Sequence, residues 1–132
     1  MNEIRHLRNQ WYVAGLSSEV TNKPVASRIL DQPLVLFRTT STGKLVILED
    51  RCVHRQAPLS LGEVVRDNIQ CGYHGIEYNE RGACIRIPSQ KLIPPGAAVP
   101  AYPCIERQGF IHVWMGNPDL CETKSPYDFP FA

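Results

Sequence analysis

Runs of apolar and β-branched residues in this chain are short, and turn-forming residues interrupt them about every 8 to 12 positions. That spacing suits an all-β antiparallel barrel or sandwich and leaves helices little room. Prolines tighten the constraint, at 11 in 132 residues, about 8% against an average of about 5%. The pattern predicts strands at 11–16, 27–30, 34–38, 44–49, 63–66, 68–71, 76–78, 83–87, 101–106 and 110–115. Ser17 and Ser18, ahead of Glu19 and Val20, are expected to cap one helical turn. Asp31-Gln32-Pro33 separates the second and third strands, Asp67-Asn68 turns the 63–71 hairpin, and Asn79-Glu80-Arg81-Gly82 turns the next. Pro88, Pro94, Pro95, Gly96 and Pro100 make residues 88–100 read as a long, stiff surface loop. From 117 to 132 the strand pattern dissolves, and Tyr127, Phe129 and Phe131 imply a tail that docks on something.

Composition narrows the class. A chain of 132 residues fits one domain and can bury a real core without disulfide staples. With 43% hydrophobic and 20% charged residues, wholesale disorder is excluded. A net charge of +1 provides no field for nucleic acid or anionic lipid. The longest aliphatic runs, 34–37 and 45–48, fall far below the ~20 residues of a membrane helix. No apolar stretch of signal-peptide length opens the chain, so a cytoplasmic protein without a membrane or nucleic-acid partner is expected. Five cysteines in such a protein point to metal ligands or buried thiols.

The chemistry sits in two loops at strand ends, residues 50–62 and 72–75. They carry Cys52-x-His54 and, after sixteen residues, Cys71-x-x-His74. Zinc fingers with two cysteines and two histidines usually draw the cysteines from one segment and the histidines from the other. Here each loop offers one thiolate and one imidazole, which suits a [2Fe-2S] cluster with both cysteines on one iron and both histidines on the other. This is the Rieske pattern. Neutral imidazoles remove two negative charges, so such clusters accept an electron at about −150 to +300 mV, against about −400 mV for plant-type ferredoxins. A zinc-binding structural module is the alternative for the same four residues.

The segment from Glu49 to Ser60, with Cys71-Gly72-Tyr73-His74-Gly75, resembles the N-terminal Rieske domain of ring-hydroxylating oxygenases. The likeness is greatest to the branch containing the vanillate O-demethylase oxygenase subunit and related aryl-ether and aryl-sulfonate monooxygenases. Asn9 to Ala14, Pro33 to Arg38, Ile87 to Gln90 and Val113 to Pro118 extend the resemblance over roughly residues 9 to 118. It implies an all-β Rieske fold, a small antiparallel barrel or sandwich with a cluster-binding subdomain of two loops. It also implies a [2Fe-2S] cofactor on Cys52, His54, Cys71 and His74, and a domain over 1–118. Residues 119–132 then resemble a connector toward a catalytic domain absent from this sequence.

Respiratory Rieske proteins differ in two respects. They carry an extra disulfide between the cluster loops, for which residues 55–59 and 72–73 have no cysteine. They also place a sulfide-bonding serine where Ile76 stands, while Tyr78 keeps the tyrosine position. Fewer hydrogen bonds to sulfur imply a potential nearer about −150 than +300 mV.

In the family, oxygen is activated at a mononuclear iron held by two histidines and a carboxylate. Beyond His54 and His74 only His6 and His112 remain, 106 positions apart, so no catalytic residue is assigned here. The implied role is electron relay from a flavin- or ferredoxin-type reductase to that iron, which in family trimers belongs to the neighbouring subunit. A stand-alone Rieske ferredoxin is the alternative.

Leu59 is expected to shield the cluster, and Gly72 and Gly75 to relieve crowding around it. Arg55 reads either as a contact for an acidic partner or as a solvated charge. His112 is expected to pack in the barrel and His6 to be solvated. Cys84 and Cys104 read as structural thiols, and Cys121 has no evident partner.

Overall fold

The computed structural model describes residues 8–52, 57–72, 75–88, 92–94 and 96–126. Ten strands are present among them: β1 (Gln10–Leu16), β2 (Val25–Ile29), β3 (Gln32–Arg38), β4 (Leu45–Glu49), β5 (Glu63–Val65), β6 (Asn68–Gln70), β7 (Glu77–Tyr78), β8 (Cys84–Arg86), β9 (Cys104–Arg107) and β10 (Phe110–Met115). They form three antiparallel sheets, ordered β1-β10-β9, β2-β3-β4 and β5-β6-β7-β8. No described helix is long and apolar enough to cross a membrane.

The two aliphatic runs explain how the sheets stack. Strand residues alternate faces, so a run apolar at every position must be buried on both sides. On β3 and β4, Leu34, Leu36, Leu45 and Ile47 join Ile111, Val113 and Met115 of β10 in one core. Val35, Phe37, Val46 and Leu48 point the other way, into a second core with Ile69, Tyr78, Leu59, Ile76, Cys52 and Cys71. The β2-β3-β4 sheet is therefore the middle layer, and its second face is the floor of the cluster-binding subdomain.

Several boundaries differ from expectation for identifiable reasons. The turn between β2 and β3 is Leu30-Asp31, with φ of 51° and 63°, so Gln32 and Pro33 belong to β3. Two left-handed residues in succession make the hairpin turn that matches strand twist, and proline is tolerated at a strand's start. The 63–71 hairpin turns one residue earlier than expected, at Arg66-Asp67, with Arg66 at φ 58°. Ser17 to Glu19 do form a 3-10 turn, but its cap residue is Leu16 and no serine side chain caps it.

The segment 88–100 is not wholly a surface loop. Val99 is buried, Ala98 bridges Ala83, and the Cys84 amide donates to the Ala97 carbonyl at 2.9 Å. Three non-proline residues among prolines are too short a run to read as a strand, yet they suffice to pair with β8.

The tail also has structure. Pro118–Thr123 is a 3-10 helix capped by the Asn117 side chain, which accepts from the Asp119 amide at 3.0 Å. It docks on the chain's own first sheet: Trp11 Nε1 donates to the Lys124 carbonyl at 2.8 Å, and Arg107 Nη1 to that of Pro126 at 3.2 Å. Tyr127, Phe129 and Phe131 lie outside the described residues.

Candidate metal centre

Each cysteine-bearing loop is closed at its stem by backbone bonds. Cys52 lies just beyond β4, and its amide donates to the Ala57 carbonyl at 2.7 Å. Asp50 clamps the same loop from outside, its two carboxylate oxygens accepting from the Ser60 amide at 2.7 Å and the Ser60 hydroxyl at 2.6 Å. Cys71 follows β6; its amide donates to the Ile76 carbonyl at 2.7 Å, and its carbonyl accepts from the Gly75 amide at 3.0 Å. Both loops thus leave rigid strands, which is how short segments obtain accurate ligand geometry.

The loops meet backbone to backbone. A Cβ on Gly62 would run into the Gln70 carbonyl oxygen and approach the Gly72 amide nitrogen to 3.0 Å; one on Gly72 would lie 3.0 Å from the Leu61 carbonyl oxygen. Gly75 has φ +73°, a conformation that favours glycine. Gly62, at the end of the first loop, lets the end of β6 and the start of the second loop approach it because it has no Cβ. A cavity of about 290 Å³ opens beside Cys71, lined also by these three glycines.

Cys52 and Cys71 converge in the second core, 0% and 2% exposed, and none of the five cysteines forms a disulfide. Leu59 is fully buried in the same cluster of side chains. The Tyr78 hydroxyl lies 3.3 Å from Cys52 Sγ, within hydrogen-bond reach of that sulfur. Ile76 is buried and brings no hydroxyl to the position where respiratory proteins have one. Among the described residues no group of three or more metal-ligating side chains occurs. His54 and His74, the other two expected ligands, lie outside those residues, as do Arg55, Tyr73 and His6.

The donor chemistry fits an iron–sulfur group. Two reduced, dry thiols from separate loops are soft ligands suited to it. Cys84 and Cys104 are compatible with the structural-thiol reading. Burial pushes Cys104 up to about 11, and its Sγ lies 3.7 Å from the Leu45 carbonyl oxygen. Burial also raises Cys84, with the nearby Cys52 contributing. Cys121 is half-buried beside Cys104, in a groove under the tail. His112 is buried in β10, a packed barrel histidine as expected.

A profile of the Rieske [2Fe-2S] domain matches residues 10–103, and the chain belongs to that family. Over 112 residues it is 50% identical to the putative toluene-4-sulfonate monooxygenase system iron-sulfur subunit of Comamonas testosteroni, covering 85% of this chain and 32% of that protein. It is 40% identical over 124 residues to the dicamba O-demethylase oxygenase component of Stenotrophomonas maltophilia, covering 93% and 36%. Identity to the vanillate O-demethylase oxygenase subunit of a Pseudomonas species is 38% over 131 residues, covering 95% and 35%. Among solved structures, dicamba monooxygenase with non-heme iron and dicamba superposes with a TM-score of 0.87 at 40% identity, over 93% of this chain and 38% of that one. The Rieske fold and its [2Fe-2S] cofactor class are therefore those of this chain, which spans about a third of the length of these curated relatives. The vanillate branch is not singled out among them.

Proposed function

We propose that this chain is the electron-transfer domain of a cytoplasmic aromatic-ring-hydroxylating or O-demethylating oxygenase. It takes electrons from a flavin- or ferredoxin-type reductase and delivers them to a mononuclear iron outside residues 1–132. Cys52 and Cys71 hold one iron and His54 and His74 the other. The observation that carries this reading is the burial of two loop-borne thiols in one dry core, with the Tyr78 hydroxyl 3.3 Å from the Cys52 sulfur.

When bound, the cluster supplies reversible storage of one electron. The chain's residues set the terms of that storage. Leu59 and Ile76 keep water from the sulfurs, Tyr78 gives Cys52 a donor, and Ile76 withholds the second one that would raise the potential. His54 and His74 would ligate through one ring nitrogen each, leaving the other to hold a proton whose affinity rises on reduction. The domain spans residues 1–118, and 119–132 lead toward the catalytic domain, which in a trimer is that of the neighbouring subunit.

Likeness to toluene-4-sulfonate, dicamba and vanillate enzymes supports a sulfonated or methoxylated aromatic acid as the whole protein's substrate, by analogy with those relatives. The branch of aryl-ether and aryl-sulfonate monooxygenases is its proposed place. Iron and acid-labile sulfide analysis tests the reading: two of each per chain are expected, and a colourless protein with one zinc overturns it.

A further inference from the structure

One buried charge has no part in the site so far. Glu77 is 1% exposed in the two-residue strand β7, and side chains from three segments converge on its carboxylate. Arg66, in the β5–β6 turn, donates from Nη2 to Oε1 at 3.4 Å. Gln70, the residue before Cys71, donates from Nε2 to Oε2 at 3.4 Å, and Arg86, ending β8, from Nη1 to Oε2 at 3.3 Å. The arginine side chains are 70% and 59% exposed, so they cap the carboxylate from the solvent side. Gln70 and Arg86 are also its direct cross-strand neighbours.

A strand this short has few backbone bonds to hold it, and its pairing with β8 slips between Glu77 and Tyr78. Tyr78 must nevertheless keep its hydroxyl 3.3 Å from Cys52 Sγ. Successive strand residues face opposite sides, so the clasp outside and the phenol inside act on the same two residues. Gln70 ties the clasp to the stem of the second loop. The geometry points to Glu77 as a positioning residue that, through Arg66, Gln70 and Arg86, holds β7 where the Tyr78 hydroxyl reaches the Cys52 sulfur. This rests on Cys52 being a cluster ligand.

The test is the midpoint potential of the cluster-loaded protein in four forms: unsubstituted, Glu77→Gln, Tyr78→Phe and the double variant. Glutamine keeps the size of Glu77 but sets an amide N–H2 against guanidinium donors, which opens the clasp. Losing a hydrogen bond to sulfur lowers the potential, so Glu77→Gln should shift it down, as Tyr78→Phe does, and the double variant should lie no lower than Tyr78→Phe alone. An upward shift that persists in the Tyr78→Phe background overturns the inference, because removal of a negative charge then acts directly. A lowered melting temperature with an unchanged potential also overturns it, leaving the clasp merely structural. If Glu77→Gln fails to load, Arg66→Gln with Arg86→Gln decides. Its shift should vanish in the Tyr78→Phe background, and a shift that survives there overturns the inference. An unsubstituted protein without a [2Fe-2S] spectrum overturns the cluster assignment itself, and the inference with it.

Discussion

Replacing Tyr78 with phenylalanine removes one oxygen from the buried core and leaves the ring in place. That oxygen lies 3.3 Å from Cys52 Sγ, in a core where Tyr78 is 1% exposed and Cys52 is 0% exposed, so no water replaces the lost donor. A hydrogen bond to a charged group contributes about 1.5–3 kcal/mol. Sulfur gains negative charge on reduction, and if about half of that contribution appears only in the reduced state, the reduced form loses about 0.7–1.5 kcal/mol. At about 59 mV per 1.4 kcal/mol for one electron, the midpoint falls by roughly 30–60 mV. Potentiometric titration followed by visible circular dichroism reads this directly. Thermal unfolding of the same variant should change little, since the packing volume is nearly conserved. An unchanged or raised midpoint in a fully loaded variant would refute the argument that this hydroxyl serves the sulfur.

Three further perturbations probe the surroundings of the centre. Gly62 has φ −91°, which alanine tolerates, so the cost of Gly62→Ala comes entirely from its Cβ meeting the Gln70 carbonyl oxygen. A loss of about 3 kcal/mol or more is expected in urea unfolding, with faster release of iron, and normal stability would show that the loops do not touch there. Asp50→Ala leaves the Ser60 amide and hydroxyl without their acceptor. It should cost about 3 kcal/mol or more and speed cluster loss at room temperature, an effect that Asp50→Asn only partly reproduces. Cys104 is raised from 9.0 to about 11 by burial. Folding therefore disfavours its thiolate, and the stability it contributes is complete below pH 9 and lost as pH rises through about 11. At pH 8, iodoacetamide should label Cys104 about a hundredfold more slowly in the folded protein than in urea; equal rates would contradict its burial.

Legibility in the sequence followed the reach of local pattern. The four-residue aliphatic runs, read first as strands, turn out to be the middle layer between two cores, because only a doubly buried strand can be apolar at every position. Cys52 and Cys71, expected at strand ends, follow β4 and β6, and both side chains join one buried cluster. Positions governed by contacts distant in sequence were harder to read. Nothing local distinguishes Gly62 from a turn glycine, since its constraint is the Gln70 backbone at the end of β6, beside it across the β5–β6 hairpin. Asp50 looks like an ordinary loop acid until Ser60 closes on it. Glu77, between Ile76 and Tyr78, carries the one available signal, an acid inside a strand pattern, but its three donors are set by sheet register. In the tail, Asn117-Pro118 is a helix-start signature, but the sequence reading stops at a docking connector and does not extract the 3-10 helix over Pro118–Thr123.

The central claim is that one iron of a two-iron cluster is held by His54 and His74 and the other by Cys52 and Cys71. Pulsed electron paramagnetic resonance of the reduced protein, labelled with nitrogen-15 only in histidine, tests it most directly. Two strongly coupled histidine nitrogens are expected, with one lost in each of His54→Cys and His74→Cys wherever the cluster still assembles. A reduced cluster with no histidine nitrogen coupling would contradict the account.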